Sequence, residues 1–218
     1  MNEIIKIDDL SPPDGYMKYT IMSNKIIANI EKVVRNSYHY KILIFYLKHF
    51  LDLNRCAYYE GYNMSNGVGV QIHHSPITLY EYTYAVANKY LLTDGYYKIM
   101  NVARDVSKLH YEFKVGLVPL NPTAHKLVHK QKLEIHPDLV KGDWMSFYEE
   151  YKEFASDSLR KTVEDANFMK EHDDPNRFPI ILRRSENIFE QKNIQLIKDI
   201  NVSKMLTDMK LSKMGLNT

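Results

Sequence analysis

The sequence predicts an α+β fold, predominantly helical, with one small two-stranded element embedded among helices. Three observations lead there. Most of the chain repeats apolar residues at the three-and-four spacing of a helix with one buried face. Two short stretches break that period: 68–73, where Val68, Val70 and Ile72 alternate with Gly69, Gln71 and His73, and the apolar run at 115–120. A length of 218 residues is enough to bury a real core, as one elaborated domain or two small ones.

The first twenty residues, with Ser11-Pro12-Pro13-Asp14-Gly15, read as an arm or turn. Residues 24–53 carry a helical pattern through Ile26, Ile30, Val33 and Val34, then Ile42, Phe45, Tyr46 and Phe50. A polar turn at 63–67 leads into the first strand, which runs into His73-His74. Thr78 and Glu81 have capping-box spacing at the head of a helix whose face is Ile77, Tyr80, Tyr84 and Leu91, and Thr93-Asp94-Gly95 ends it. Ile99, Val102, Ala103, Val106, Leu109 and Phe113 stripe the next helix, and the second strand follows. Asn121-Pro122 is the clearest local signal: a favoured N-cap before a favoured first helical residue starts a helix carrying His125 and His129. After a loop at 134–142, Trp144, Phe147, Tyr148, Tyr151 and Phe154 mark a long amphipathic helix. Asp173-Asp174-Pro175-Asn176 breaks the chain, and a last helix is expected at about 186–211.

Composition excludes several classes. With 44% hydrophobic and 26% charged residues the chain sits among globular proteins, and no apolar run is long enough to span a bilayer. The opening ten residues alternate charges and lack the apolar centre of a signal peptide, so no membrane partner and a cytoplasmic location are expected. One cysteine, Cys56, excludes an internal disulfide and a cysteine-based zinc ribbon, and reads as a small buried hydrophobe. A net charge of +2 announces no basic stripe, so phosphate contacts would have to come from a local patch such as Lys126, Lys130 and Lys132. The 17 tyrosines read first as core packing.

Nine histidines are present, and four fall into two tight groups. His125 and His129, at i and i+4, share one helix face and can converge on one metal ion. A metalloprotease helix would have glutamate after its first histidine, as the general base; here Lys126 stands there, and that reading fails. Adjacent His73 and His74 point to opposite sides of a regular strand, so one can bind metal while the other acts as a base. Such a division of labour suits phosphodiester hydrolysis, with a metal stabilising charge and a neutral imidazole activating water.

The stretches Ile72-His73-His74-Ser75-Pro76 and Gly116-Leu117-Val118-Pro119-Leu120-Asn121-Pro122-Thr123-Ala124-His125-Lys126-Leu127-Val128-His129 together resemble the ββα-metal motif of the HNH endonuclease superfamily. The ligand pattern is similar to that of colicin-type nuclease domains, and the context through Gly142-Asp143-Trp144 resembles phage-type HNH proteins. The resemblance implies His73, His125 and His129 as ligands of one divalent ion (Mg, Mn, Ni or Zn), His74 as catalytic base, and DNA rather than RNA as partner. The family's middle residue, usually Asn or His, falls on Gly116; His110, Glu112 and Asn121 are the candidate supporting residues, with Asn121 better read as a helix N-cap. About forty residues separate His74 from Gly116, a helical insertion at about 77–113 where the family has a short loop. Such an insertion is tolerable if its ends lie close, since closure cost grows slowly with length.

The expected organisation is an N-terminal arm and helices at 1–55, an HNH-like ββα-metal domain at 56–157 and a C-terminal helical extension at 158–218. The expected activity is metal-dependent endonucleolytic cleavage, with phage origin suggested by low Gly, Cys and Trp beside abundant Lys, Asn, Ile and Tyr, which would place it in the host cytoplasm. Two alternatives stand beside it. One is an inactive relative whose zinc is structural, in a nucleic-acid-binding or complex-forming subunit; the other is a helical adaptor whose histidines are unrelated.

Overall fold

A computed structural model describes residues 18–58, 63–67 and 69–172. The N-terminal arm before Lys18, the residue Val68 and the helix expected at 186–211 lie outside the described residues. The described chain is α+β and mainly helical, as its patterning predicts. Strand β1 (Lys18–Tyr19) is followed by helices α1 (Asn24–Asn36) and α2 (Tyr38–His49), strand β2 (Gln71–His74), helix α3 (Leu79–Asp94), strand β3 (Tyr97–Lys98) and helix α4 (Ile99–Tyr111). Strand β4 (Leu117–Leu120), helix α5 (Pro122–His129), helix α6 (Trp144–Tyr151) and helix α7 (Asp157–His172) complete it.

The helical pattern over 24–53 resolves into two helices, because Ser37 leaves the helical region (φ −61°, ψ 145°). Its hydroxyl accepts from the Tyr40 amide at 3.1 Å and donates to the Val34 carbonyl at 2.7 Å, so one residue closes α1 and caps α2. Residues Lys18–Tyr19, expected as arm, pair antiparallel with Tyr97–Lys98 instead. The long helix expected after Trp144 also divides: α6 tightens into a 3₁₀ turn at Lys152–Phe154 before α7 starts afresh. The capping box of Thr78 and Glu81 forms as the spacing requires, and Gly95 closes α3 in the left-handed conformation at φ 75°.

One core joins the described parts of all three expected stretches. Ile27, Ile30, Leu43 and Leu47 from α1 and α2 pack with Tyr82, Val102, Val106 and Phe147, and α7 adds Leu159 and Val163. A second, smaller cluster of Cys56, Ala57, Val118, Leu120, Ala124, Ile135 and Leu139 lies under β4 and α5. Cys56 is buried there with a free thiol, as a small hydrophobe.

The sheet that matters for the site is β2 paired antiparallel with β4, with His73 opposite Val118 and His74 opposite Leu117. Helices α3 and α4 fill the connection between these strands, whose pairing brings the insertion's two ends together. At that junction the Ser75 amide donates to the Gly116 carbonyl (3.1 Å), and the Gly116 amide donates to the Tyr82 hydroxyl (2.9 Å). A Cβ on Gly116 would overlap the Ser75 carbonyl oxygen and come within 2.8 Å of a Val140 methyl. Position 116 therefore has no room for a side chain.

Candidate metal centre

Helix α5 is only eight residues long, so its placement depends on its ends. The Asn121 side chain accepts from the Ala124 amide at 2.7 Å, Pro122 takes the first helical position, and Ala124 is buried in the small cluster below. This anchorage aims His125 and His129 toward β2. The His73 ring lies 5.1 Å from that of His125 and 5.2 Å from that of His129, and the two helix rings are 4.4 Å apart.

One nitrogen from each ring falls within 4.8 Å of the other two, and the Nε2 atoms of His125 and His129 are 3.3 Å apart. Tetrahedral coordination with metal–nitrogen distances of about 2.0–2.1 Å needs nitrogens about 3.3–3.4 Å apart. The helix pair meets that spacing, and a ring nitrogen of His73 lies within 4.8 Å of both. Three imidazoles are also a donor set suited to Zn, Ni and similar borderline cations. The residues present therefore fit one divalent ion. His73 and His125 are half-buried and His129 is exposed, which leaves one side of the triad open to solvent.

Electrostatics favour the metal-binding form. Burial, then repulsion from His125, His129 and Arg35, pushes the His73 pKa down to about 4. His125 is lowered in the same sense by burial, His129 and Arg35. Neutral imidazole is the form that coordinates a cation.

His74 occupies the opposite face of β2 and points into the core, 5% exposed. Its Nε2 is 2.8 Å from Nε2 of His110, which is 0% exposed and whose Nδ1 donates to the Val106 carbonyl at 2.7 Å. The Tyr40 ring packs against both imidazoles, and Tyr82 against His74. Burial holds His74 well below its ordinary pKa and His110 at about 4, despite the Val106 bond, which acts the other way. Adjacent residues thus have different surroundings: His73 joins the open triad, His74 a buried pair.

The other candidates divide. His110 reaches the site from the insertion. Glu112 does not: it is held on the surface by Lys108 and Lys114 at 3.5 and 3.6 Å, and no bond ties it to the histidines. Asn121 is spent on capping α5 rather than on supporting His74. Lys126, Lys130 and Lys132 are exposed on and just after α5, beside His129. Sequence reasoning missed Arg35, in the last turn of α1. Its charge adds, after burial, to the forces that disfavour protonation of His73, His74, His110 and His125, and it sits on a helix remote in sequence, so no local motif could have revealed it.

No curated protein and no solved structure matches the chain. Among the described residues no helix is long and apolar enough to cross a membrane. One family profile matches residues 9–202, most of the 218, including the whole described region that carries the histidine triad and the insertion. The chain belongs to the bacteriophage G278-like virion protein family.

Proposed function

We propose that this phage protein is a divalent-metal-dependent endonuclease of the HNH type, hydrolysing phosphodiester bonds of DNA in the host cytoplasm. The observation that carries this reading is the convergence of His73, His125 and His129 on a β-hairpin-like strand pair and a capped helix, with one side open. Structural zinc sites are usually closed by four protein ligands, whereas hydrolytic sites keep a position for water or substrate. A bound divalent ion supplies Lewis-acid stabilisation of the charge that builds on a phosphate under attack. His73, His125 and His129 would hold that ion as neutral imidazoles. Lys126, Lys130 and Lys132, with the partly exposed Arg35, supply the positive charge that draws and orients the phosphate backbone. In this reading His74 is the base: Nδ1, the ring nitrogen that His110 leaves uncommitted, takes the proton from the attacking water. That step requires the end of β2 to open, because His74 is buried on the face away from the triad.

A second reading is favoured by one observation, the burial of His74. In it the ion is structural and the protein is a nucleic-acid-binding or complex-forming part of the virion, without chemistry.

Supercoiled plasmid incubated with the purified protein and Mg²⁺, Mn²⁺, Ni²⁺ or Zn²⁺ separates the two. Metal-dependent nicking abolished by EDTA, and reduced about 10²–10⁴-fold by His74→Ala with metal still bound, is the expected result. Wild-type cleavage by His74→Ala removes His74 from the chemistry. Absence of nicking with every metal, while the triad binds the ion, establishes the structural reading.

A further inference from the structure

The buried pair beside the metal centre is a wired arrangement, and its bonds assign its protons. A carbonyl oxygen only accepts, so the 2.7 Å contact with Val106 puts a hydrogen on Nδ1 of His110. Neutral imidazole carries one hydrogen, so Nε2 of His110 is bare and accepts. The hydrogen in the 2.8 Å contact therefore belongs to Nε2 of His74, and the lone pair of His74 is on Nδ1. Among the described residues Tyr40, Tyr82, His73 and the Arg35 charge are the titratable or charged groups acting on the pair, and no carboxylate lies among them to favour imidazolium.

We propose that His110 is a positioning residue of this site, delivered by the helical insertion, which fixes the His74 ring and its tautomer so that Nδ1 carries the lone pair. Gly116 is why the insertion has this task. The backbone crossing with Ser75 leaves no room for a side chain at the position between the strands, so support for His74 comes from α4 instead. His110 sits there on a helix packed against α1 and α3, and the second bond to Val106, one turn back on the same helix, holds its own ring. Placement on a rigid helix with a further hydrogen bond is how outer residues orient a functional imidazole.

The activity arm of the test rests on the endonuclease reading; the spectroscopic arm does not. Long-range ¹H–¹⁵N spectra of the full chain at neutral pH report which nitrogen of each imidazole carries hydrogen. The expected pattern is His110 protonated on Nδ1 and His74 on Nε2, with the His74 ring proton slow to exchange. His110→Leu should release that proton to fast exchange. His110→Gln, whose amide oxygen can accept the same bond, should retain it. Nicking should fall about 10–100-fold in His110→Leu at unchanged metal affinity, and recover in His110→Gln. The reverse tautomers in the wild type overturn the proposal outright, whether or not the leucine variant folds. So does a folded His110→Leu that leaves the His74 ring signals unchanged. Wild-type protein without nicking would sink the endonuclease reading and leave the tautomer result to stand or fall by itself.

Discussion

His74 and His110 are imidazoles placed in the core with no acid beside them among the described residues, so burial favours their neutral forms. In the unfolded chain an imidazole titrates near 6.5, whereas burial holds His110 at about 4. Between those values the unfolded chain binds a proton that the folded chain does not, so stability rises with pH across the window. The contribution is fully present above about 6.5 and is lost as pH falls toward 4, amounting to roughly 3 kcal/mol for His110 alone. His74 and His73 are depressed in the same direction and steepen the loss. Urea unfolding in EDTA at neutral pH and at about pH 5 checks this: stability should drop markedly on acidification, and less in His110→Gln. Equal stability at the two values would mean the pair is not held neutral. The chemistry also separates here at single-residue resolution. His73 and His74 are neighbours in sequence, yet strand alternation alone sends one to the triad and the other to the core.

At the scale of elements, the site depends on a short helix and a tight strand junction. An eight-residue helix is marginal by itself, so α5 relies on the Asn121 cap and on Ala124 in the cluster beneath. Asn121→Ala should cost about 1 kcal/mol of stability and also weaken metal binding, since fraying α5 moves His125 and His129 apart. Gly116→Ala should cost more, about 1–3 kcal/mol, because the new methyl meets backbone rather than a side chain that could turn away. Thermal melts and metal titrations of both variants test this; an undiminished metal affinity in a destabilised Asn121→Ala would uncouple the cap from the site. Much of this level was legible beforehand. Asn121-Pro122, the Thr78–Glu81 box and Gly95 are local signals, in which the residue that ends or starts a helix is the residue that makes the bond. The division at Ser37 was not legible, because the apolar spacing continues through it and a single serine hydroxyl decides the break. Nor were the two-residue strands β1 and β3, whose pairing joins distant segments too short to show a period. The His125–His129 pair followed from spacing and the resemblance implied His73 beside it, but the His74–His110 bond spans 36 residues and only the packing of α4 reveals it.

On the scale of the whole molecule, the metal centre stands at the margin of the main core. The large core runs from α1 to α7 and takes in Leu117 of β4, with Ile72 of β2 packed against it, whereas α5 and the rest of β4 rest on the small cluster around Cys56 and Leu120. A family described as virion protein could use such an ion to hold its fold together, or carry it as a reactive group on a fold that is already stable. Energetics distinguishes these. An ion present at 100 times its dissociation constant stabilises by about 2.7 kcal/mol, but only the parts whose opening breaks its site feel that gain. Hydrogen exchange with Zn²⁺ or with EDTA should therefore show added protection at the amides of α5 and β2, with little change in α1, α3 and α4. His125→Ala should remove the zinc-dependent protection and leave the EDTA pattern as it was. If chelation instead released the helices of the large core together, the ion would be a condition of the fold. The small cluster would then be the keystone of the molecule rather than a platform for the site, and the structural reading would take precedence over the hydrolytic one.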